Sequence, residues 1–210
     1  MTTTHLLYLH GFRSSPQSAK ARQMAAHVAQ HHPGVHFWCP QLPPSPQAAM
    51  HMVAQGIADW PRERMAVIGS SLGGFYASWV AQRAGCPSVM LNPAVNPARD
   101  LARHIGEQTT WQNPQERFFF LPEYIDELRA LSTEGRPAHA PELVIIAQGD
   151  EVLDWREMAA RYAGARQIVQ PGGDHALSNF GDYLPLITGF LALEEPVQCL
   201  FEDRIGVQSV

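Results

Sequence analysis

Six short runs of consecutive apolar residues punctuate this chain: "LLYLH" at 6–10, "VHFWCP" at 35–40, "MAVIGS" at 65–70, "SVMLN" at 88–92, "LVIIAQ" at 143–148 and "RQIVQ" at 166–170. A strand with one wet face alternates apolar and polar residues, whereas a continuous run suits a strand covered on both faces. The intervening stretches "SAKARQMAAHVAQHH", "SPQAAMHMVAQGIADW", "LGGFYASWVAQRAG" and "WREMAARYAGA" carry apolar residues at three-and-four spacing and turn residues at their ends. That is the mark of amphipathic helices. Strand and helix in alternation dictate an α/β architecture: a mostly parallel sheet of about six strands with helices on both faces.

One interval breaks the rhythm. Residues 98–141 hold no strand-like run, only "LARHIGEQTTW", the aromatic cluster "RFFFLPEY" and "STEGRPAHAP". A structureless loop of that length is uncommon in a compact domain, so a small helical insert over the C-terminal ends of the strands is expected. With 210 residues, 45% of them apolar, the chain can fill one sizeable core, and a single domain over 1–210 is expected. The tail 194–210 is too short to be a domain, and nothing in the sequence sets an oligomeric state.

The net charge of −5 comes without a Lys/Arg stripe, which argues against a nucleic-acid partner. The first apolar run is too short for a signal core or a membrane span, so no membrane partner and a cytoplasmic address are expected. Cys39, Cys86 and Cys199 form an odd set without metal-ligand spacing and read as reduced thiols. Adjacent His31 and His32 point apart on a helix and have no acidic or thiol partner at useful spacing, so no metal is expected.

Gly69-Ser70-Ser71-Leu72-Gly73 follows a buried strand and opens a helix. In this Gly-x-Ser-x-Gly pattern the central serine sits on a sharp, strained turn, and only small residues two places to each side escape a clash. The turn lifts the Ser71 hydroxyl clear of the main chain and leaves the Leu72 N–H free at the helix N-terminus, where it can hold developing negative charge. A serine hydroxyl needs a base, and the base an orienting acid. In sheets of this type the order along the chain is serine, acid, histidine. Of ten histidines only His175, in the Gly-rich loop "PGGDHALSNF", lies beyond a suitable acid. Asp150 directly follows the glycine that ends "LVIIAQG" and is the first choice; Asp154, otherwise a helix cap, is the competitor. Glu151 is expected to face away from Asp150, and Asp174 to be too close in sequence to His175 to brace it. After the first strand, "YLHGFRSS" offers a second oxyanion donor, the Phe12 N–H before that of Gly11, with His10 supporting the loop. Gly11, Arg13 and Phe119 are the expected substrate contacts.

These residues resemble the α/β-hydrolase superfamily and, more closely, the small YqiA-like esterase family. The blocks that carry the likeness are "YLHGFRSSPQSAKA", "PQLPPSP", "GSSLGGFYASW", "LNPAVNP", "GDEVLDW" and "GGDHALSNF", spread to about residue 193. The resemblance implies a serine esterase with Ser71, Asp150 and His175 as its triad, a sheet trimmed to six strands in the order 2-1-3-4-5-6, and no cofactor. The implied substrate is a small-molecule ester. A thioester of an acyl-CoA, with Arg13 meeting a phosphate, is the alternative within enzymes, and a non-catalytic binding protein on the same fold is the alternative outside them.

Overall fold

The computed structural model describes residues 2–194; residues 195–210, and with them Cys199 and nearly all of the tail, lie outside. Six strands form one sheet: β1 (His5–Leu9), β2 (His36–Trp38), β3 (Met65–Ser70), β4 (Ser88–Leu91), β7 (Glu142–Ala147) and β8 (Arg166–Gln170). Their spatial order is β2-β1-β3-β4-β7-β8, and every neighbouring pair is parallel. All six apolar runs are therefore strands, in the expected order, and the α/β-hydrolase fold expected from the sequence is the fold observed.

The continuous runs are continuous because each face of the sheet has its own core. Leu7, Leu9, Val67, Met90, Val144 and Ile146 turn to one side, packed under α2 (Pro46–Gly56), α3 (Leu72–Ala84) and α6 (Trp155–Arg161). Leu6, Tyr8, Ile68, Val89, Leu143 and Ile145 turn to the other, against α1 (Ala19–His31) and α7 (Leu184–Phe190). Burying each such large side chain contributes about 1.5–3 kcal/mol. Thr3 and Leu193 form a parallel bridge at the N-terminal end of β1, where Thr3 N–H donates to Ala192 O at 2.8 Å and Glu194 N–H to Thr3 O at 3.0 Å.

Between β4 and β7 the chain departs from expectation. The insert contains two short helices, α4 (Pro97–Asp100) and α5 (Glu123–Ala130), but also an antiparallel ribbon of β5 (Gly106–Thr109) and β6 (Arg117–Phe120). The ribbon escaped notice for two physical reasons. Strand β5 is "GEQT", polar because a two-stranded ribbon leaves much of it in water. In β6 three consecutive Phe conceal a period of two: Phe120 is 1% exposed, while Phe119 between the inward pair is 61% exposed. The insert is anchored to the body through Glu127 of α5, whose carboxylate accepts from Ser45 Oγ at 2.7 Å and Gln47 N–H at 2.9 Å at the start of α2.

Candidate active site

The sheet order reverses direction between β1 and β3, and the loops that leave their C-terminal ends diverge there to open a crevice. Ser71 stands at that point with φ 56° and ψ −121°, a conformation that costs a non-glycine residue about 1–3 kcal/mol and that the surrounding packing must hold. The flanking glycines are required by close approach. A Cβ on Gly69 would lie 2.0 Å from Gly73 O, and a Cβ on Gly73 would lie 2.0 Å from Leu9 O.

Ser71, His175 and Asp150 form one hydrogen-bonded line. His175 Nε2 is 3.0 Å from Ser71 Oγ, and His175 Nδ1 is 2.7 Å from Asp150 Oδ2. A carboxylate only accepts, so Nδ1 carries the proton and Nε2 presents its lone pair to the serine hydroxyl. The Asp150 side chain is 0% exposed and that of His175 is 20% exposed. The other Asp150 oxygen, Oδ1, accepts from Val152 N–H and Leu153 N–H, both at 2.8 Å, which fixes the carboxylate from behind. Asp154 does a different job: its Oδ1 accepts from Arg156 N–H at 2.9 Å as the N-cap of α6. Asp174 is occupied by Ser178, whose hydroxyl and N–H hold its carboxyl below the usual carboxylate range. Glu151 corrects an expectation, since it does not face away: its Oε2 accepts from the His175 N–H at 2.9 Å.

The loop after β1 lies directly against the serine, for a Cβ on Gly11 would sit 3.7 Å from Ser71 Oγ. Neither the Phe12 nor the Leu72 N–H donates to another backbone group among the described residues. Buried His10 supports this loop, with Nδ1–H donating to Gly11 O at 3.0 Å and Nε2 accepting from Leu42 N–H at 3.1 Å. Burial pushes the His10 pKa down, partly opposed by the bond to Gly11 O. The Phe12 ring is seated edge-on against Phe118 and Phe120 of the ribbon, at 6.0 and 5.2 Å between ring centres.

Two cavities meet Ser71 and His175. One of about 290 Å³ is walled by Phe12, Leu72, Pro97, Leu101, Trp111 and Leu153. The other, of about 400 Å³, runs past Ser14, Ser18, Lys20, Gln112 and Glu151. Of the expected substrate contacts Gly11 and Arg13 line these spaces, but Phe119 does not: it faces water on the outer side of the ribbon. The Arg13 guanidinium is partly engaged within the fold. Its Nε donates to Thr109 O at 2.6 Å, its Nη2 to Thr109 Oγ1 at 2.9 Å, and its Cζ lies over the Trp111 ring, 4.1 Å from the ring centre. Sequence reasoning missed Lys20, half-buried, with Nζ donating to Ala176 O and a pKa pushed down to about 8 by burial, against the opposing pull of Asp174 and Asp150. It also missed Val152 and Leu153, whose apolar character inside "GDEVLDW" was the available signal. Half-buried Cys39 and buried Cys86 lie away from both cavities, each pushed up to about 12 by burial. Among the described residues no three His, Cys, Asp or Glu side chains gather to hold a metal, and no helix is long and apolar enough to cross a membrane.

A parallel sheet in this strand order, with a serine on the turn after its third strand, defines the α/β-hydrolase class. Solved structures of the class superpose on the chain. A structure described with the metagenome-derived lipolytic enzymes LipS and LipT matches at 18% identity and a TM-score of 0.70, over 91% of this chain and 94% of the other. Est1E from Butyrivibrio proteoclasticus, with ferulic acid bound, matches at 14% and 0.69, over 91% and 87%. Mouse alpha/beta hydrolase domain-containing protein 10 matches at 15% and 0.67, over 90% of each chain. The chain belongs to the Uncharacterised protein family (UPF0227), the YqiA-like family, whose model matches residues 5–192.

Proposed function

We propose that this protein is a carboxylic-ester hydrolase that works through an acyl-enzyme on Ser71. The observation that carries the reading is the unbroken line Ser71 Oγ, His175 and Asp150 at 3.0 and 2.7 Å. Ser71 Oγ attacks the acyl carbonyl as His175 Nε2 takes its proton. Asp150 holds the imidazole in the Nδ1–H tautomer and stabilises the imidazolium. The oxyanion is received by the N–H groups of Leu72 and Phe12, donors already held in place before charge develops. His175 then returns the proton to the departing alkoxide, and water activated by the same nitrogen releases the acid. The apolar cavity walled by Leu101 and Trp111 takes the acyl chain, and its volume of about 290 Å³ favours short acyl groups. The same acyl chemistry would serve a thioester, the alternative substrate class, and the Arg13 guanidinium already gives two N–H groups to Thr109.

A fluorophosphonate probe tests the reading. It should add mass to the peptide containing Ser71, and Ser71→Ala should lose both the label and nearly all turnover of butyrate esters while melting as the parent does. A label on Ser70, or turnover that survives Ser71→Ala, overturns it. Rates that climb steadily up to palmitoyl-length esters overturn the preference for short chains.

A further inference from the structure

Asn92, in the block "LNPA" at 91–94, has no part in the chemistry above, yet that block touches the strands or loops that carry all three residues. Ser71 N–H donates to Leu91 O at 3.0 Å, and Ala94 N–H returns to Ser71 O at 3.0 Å. Between them stands Asn92, 1% exposed, with φ 40°, in the left-handed region that asparagine tolerates better than most residues. Its backbone N–H continues the β4–β7 ladder to Ile145 O at 2.9 Å. Its side chain then does what another strand residue would do, as Oδ1 accepts the Ala147 N–H at 2.8 Å. Ala147 ends β7, and its carbonyl accepts the Asp150 N–H at 3.2 Å. On its other side Asn92 Nδ2 donates to Asp174 O at 3.0 Å and His175 O at 3.2 Å.

We propose that Asn92 is a positioning residue that sets the distance between the Asp150 and His175 side chains by clamping β7 to the histidine loop. The loop needs such a clamp. Residues 174–176 hold no ladder bond to a strand; their outward polar groups are held by the side chains of Asn92, of Lys20 on Ala176 O and of Glu151 on the His175 N–H. Asn92 is the member that reaches both sides, since one amide carries an acceptor for β7 and a donor for the loop. Aspartate cannot replace it, because a carboxylate keeps the bond to Ala147 N–H but turns an oxygen toward two carbonyls. Asn92 lines neither cavity beside Ser71, so its loss acts through His175 and leaves ester binding alone.

This inference rests on the acyl-enzyme reading, and the test separates the two. Asn92→Asp and Asn92→Ser are compared with the parent and with Ser71→Ala, well below their melting temperatures, for kcat and KM on a butyrate ester and for the rate of Ser71 labelling by a fluorophosphonate. Misplacing a reacting group by about 1 Å costs about 100-fold, so kcat and labelling rate should both fall by about 10- to 100-fold in Asn92→Asp, with KM within about twofold. Asn92→Ser, too short to bridge and free of charge, should lose kcat and labelling in the same direction and serves if the aspartate variant does not fold. Variants that melt earlier yet keep parental kcat and labelling rate overturn the proposal, as does a loss confined to KM. Turnover surviving in Ser71→Ala would instead overturn the acyl-enzyme reading itself.

Discussion

Asp150 and Asp154 carry the same carboxylate four residues apart, and their surroundings give it different work. Asp150 is sealed from water and spends one oxygen on two backbone N–H groups and the other on His175. Asp154 is half-exposed and caps a helix. Asp150→Asn keeps the shape but offers His175 an amide in place of a charge, so kcat should fall by about 10³- to 10⁴-fold with little change in melting temperature. Asp154→Asn should be nearly silent in both measurements, while Asp154→Ala should cost about 1 kcal/mol of stability and little rate. The reverse pattern would move the acid to Asp154. At this scale the sequence was readable where a placement depends on position along the chain: a serine between glycines, an aspartate at a strand end and a histidine in the last loop, which the fold brings into one hydrogen-bonded line. It was opaque where a role depends on what lies across the fold. Nothing local in "GFRSS" announces that Arg13 is held by Thr109, and nothing in "RFFF" says which ring faces water.

The ribbon β5–β6 is the element that the sequence concealed, and it is also the element that grips the loop after β1. Phe118 and Phe120 seat the Phe12 ring, Thr109 and Trp111 hold the Arg13 side chain, and the Trp111 N–H donates to Arg13 O at 2.8 Å. The loop proposed to supply an oxyanion donor is thereby fixed from outside by the segment whose Trp111 walls the cavity proposed for the acyl chain. Arg13→Met removes two hydrogen bonds and the guanidinium stacked on Trp111 while keeping the stem's length. Melting should change little, because each such bond contributes about 0.5–1.5 kcal/mol. KM for butyrate esters should rise several-fold, and the falloff in rate with acyl length should flatten as the Trp111 wall loosens. An unchanged length profile would show that the ribbon shapes neither. The four inner strands of the main sheet were legible because they are buried on both faces and are apolar almost throughout, and the half-buried edge strands β2 and β8 still keep a short apolar run. A surface ribbon is under no such constraint, and its composition therefore carried no comparable signal.

Over the whole molecule, acid works against the fold through its histidines. The pKa values of His5, His10, His27 and His104 are all pushed down, in each case chiefly by burial. Each binds a proton less readily folded than unfolded, so its contribution to stability is complete above the ordinary value of about 6.5 and is lost as the pH falls through its lower folded value. Asp174 and Glu157, held down by bonds from Ser178 and Arg99, add to the loss only in the carboxylate range below. The melting temperature should thus decline between about pH 7 and pH 5. His10→Gln, which does not titrate, should show a shallower decline; a parental slope in that variant would remove His10 from the account. A different consequence follows from the bridge between Thr3 and Leu193. It ties the two ends of the described chain together at the foot of β1, while Ser71 and His175 stand at the opposite rim, a strand's length of about 17 Å away. The molecule so has a handle and a working edge: a tether attached at the foot would present the crevice outward to whatever solution or surface the protein is set against.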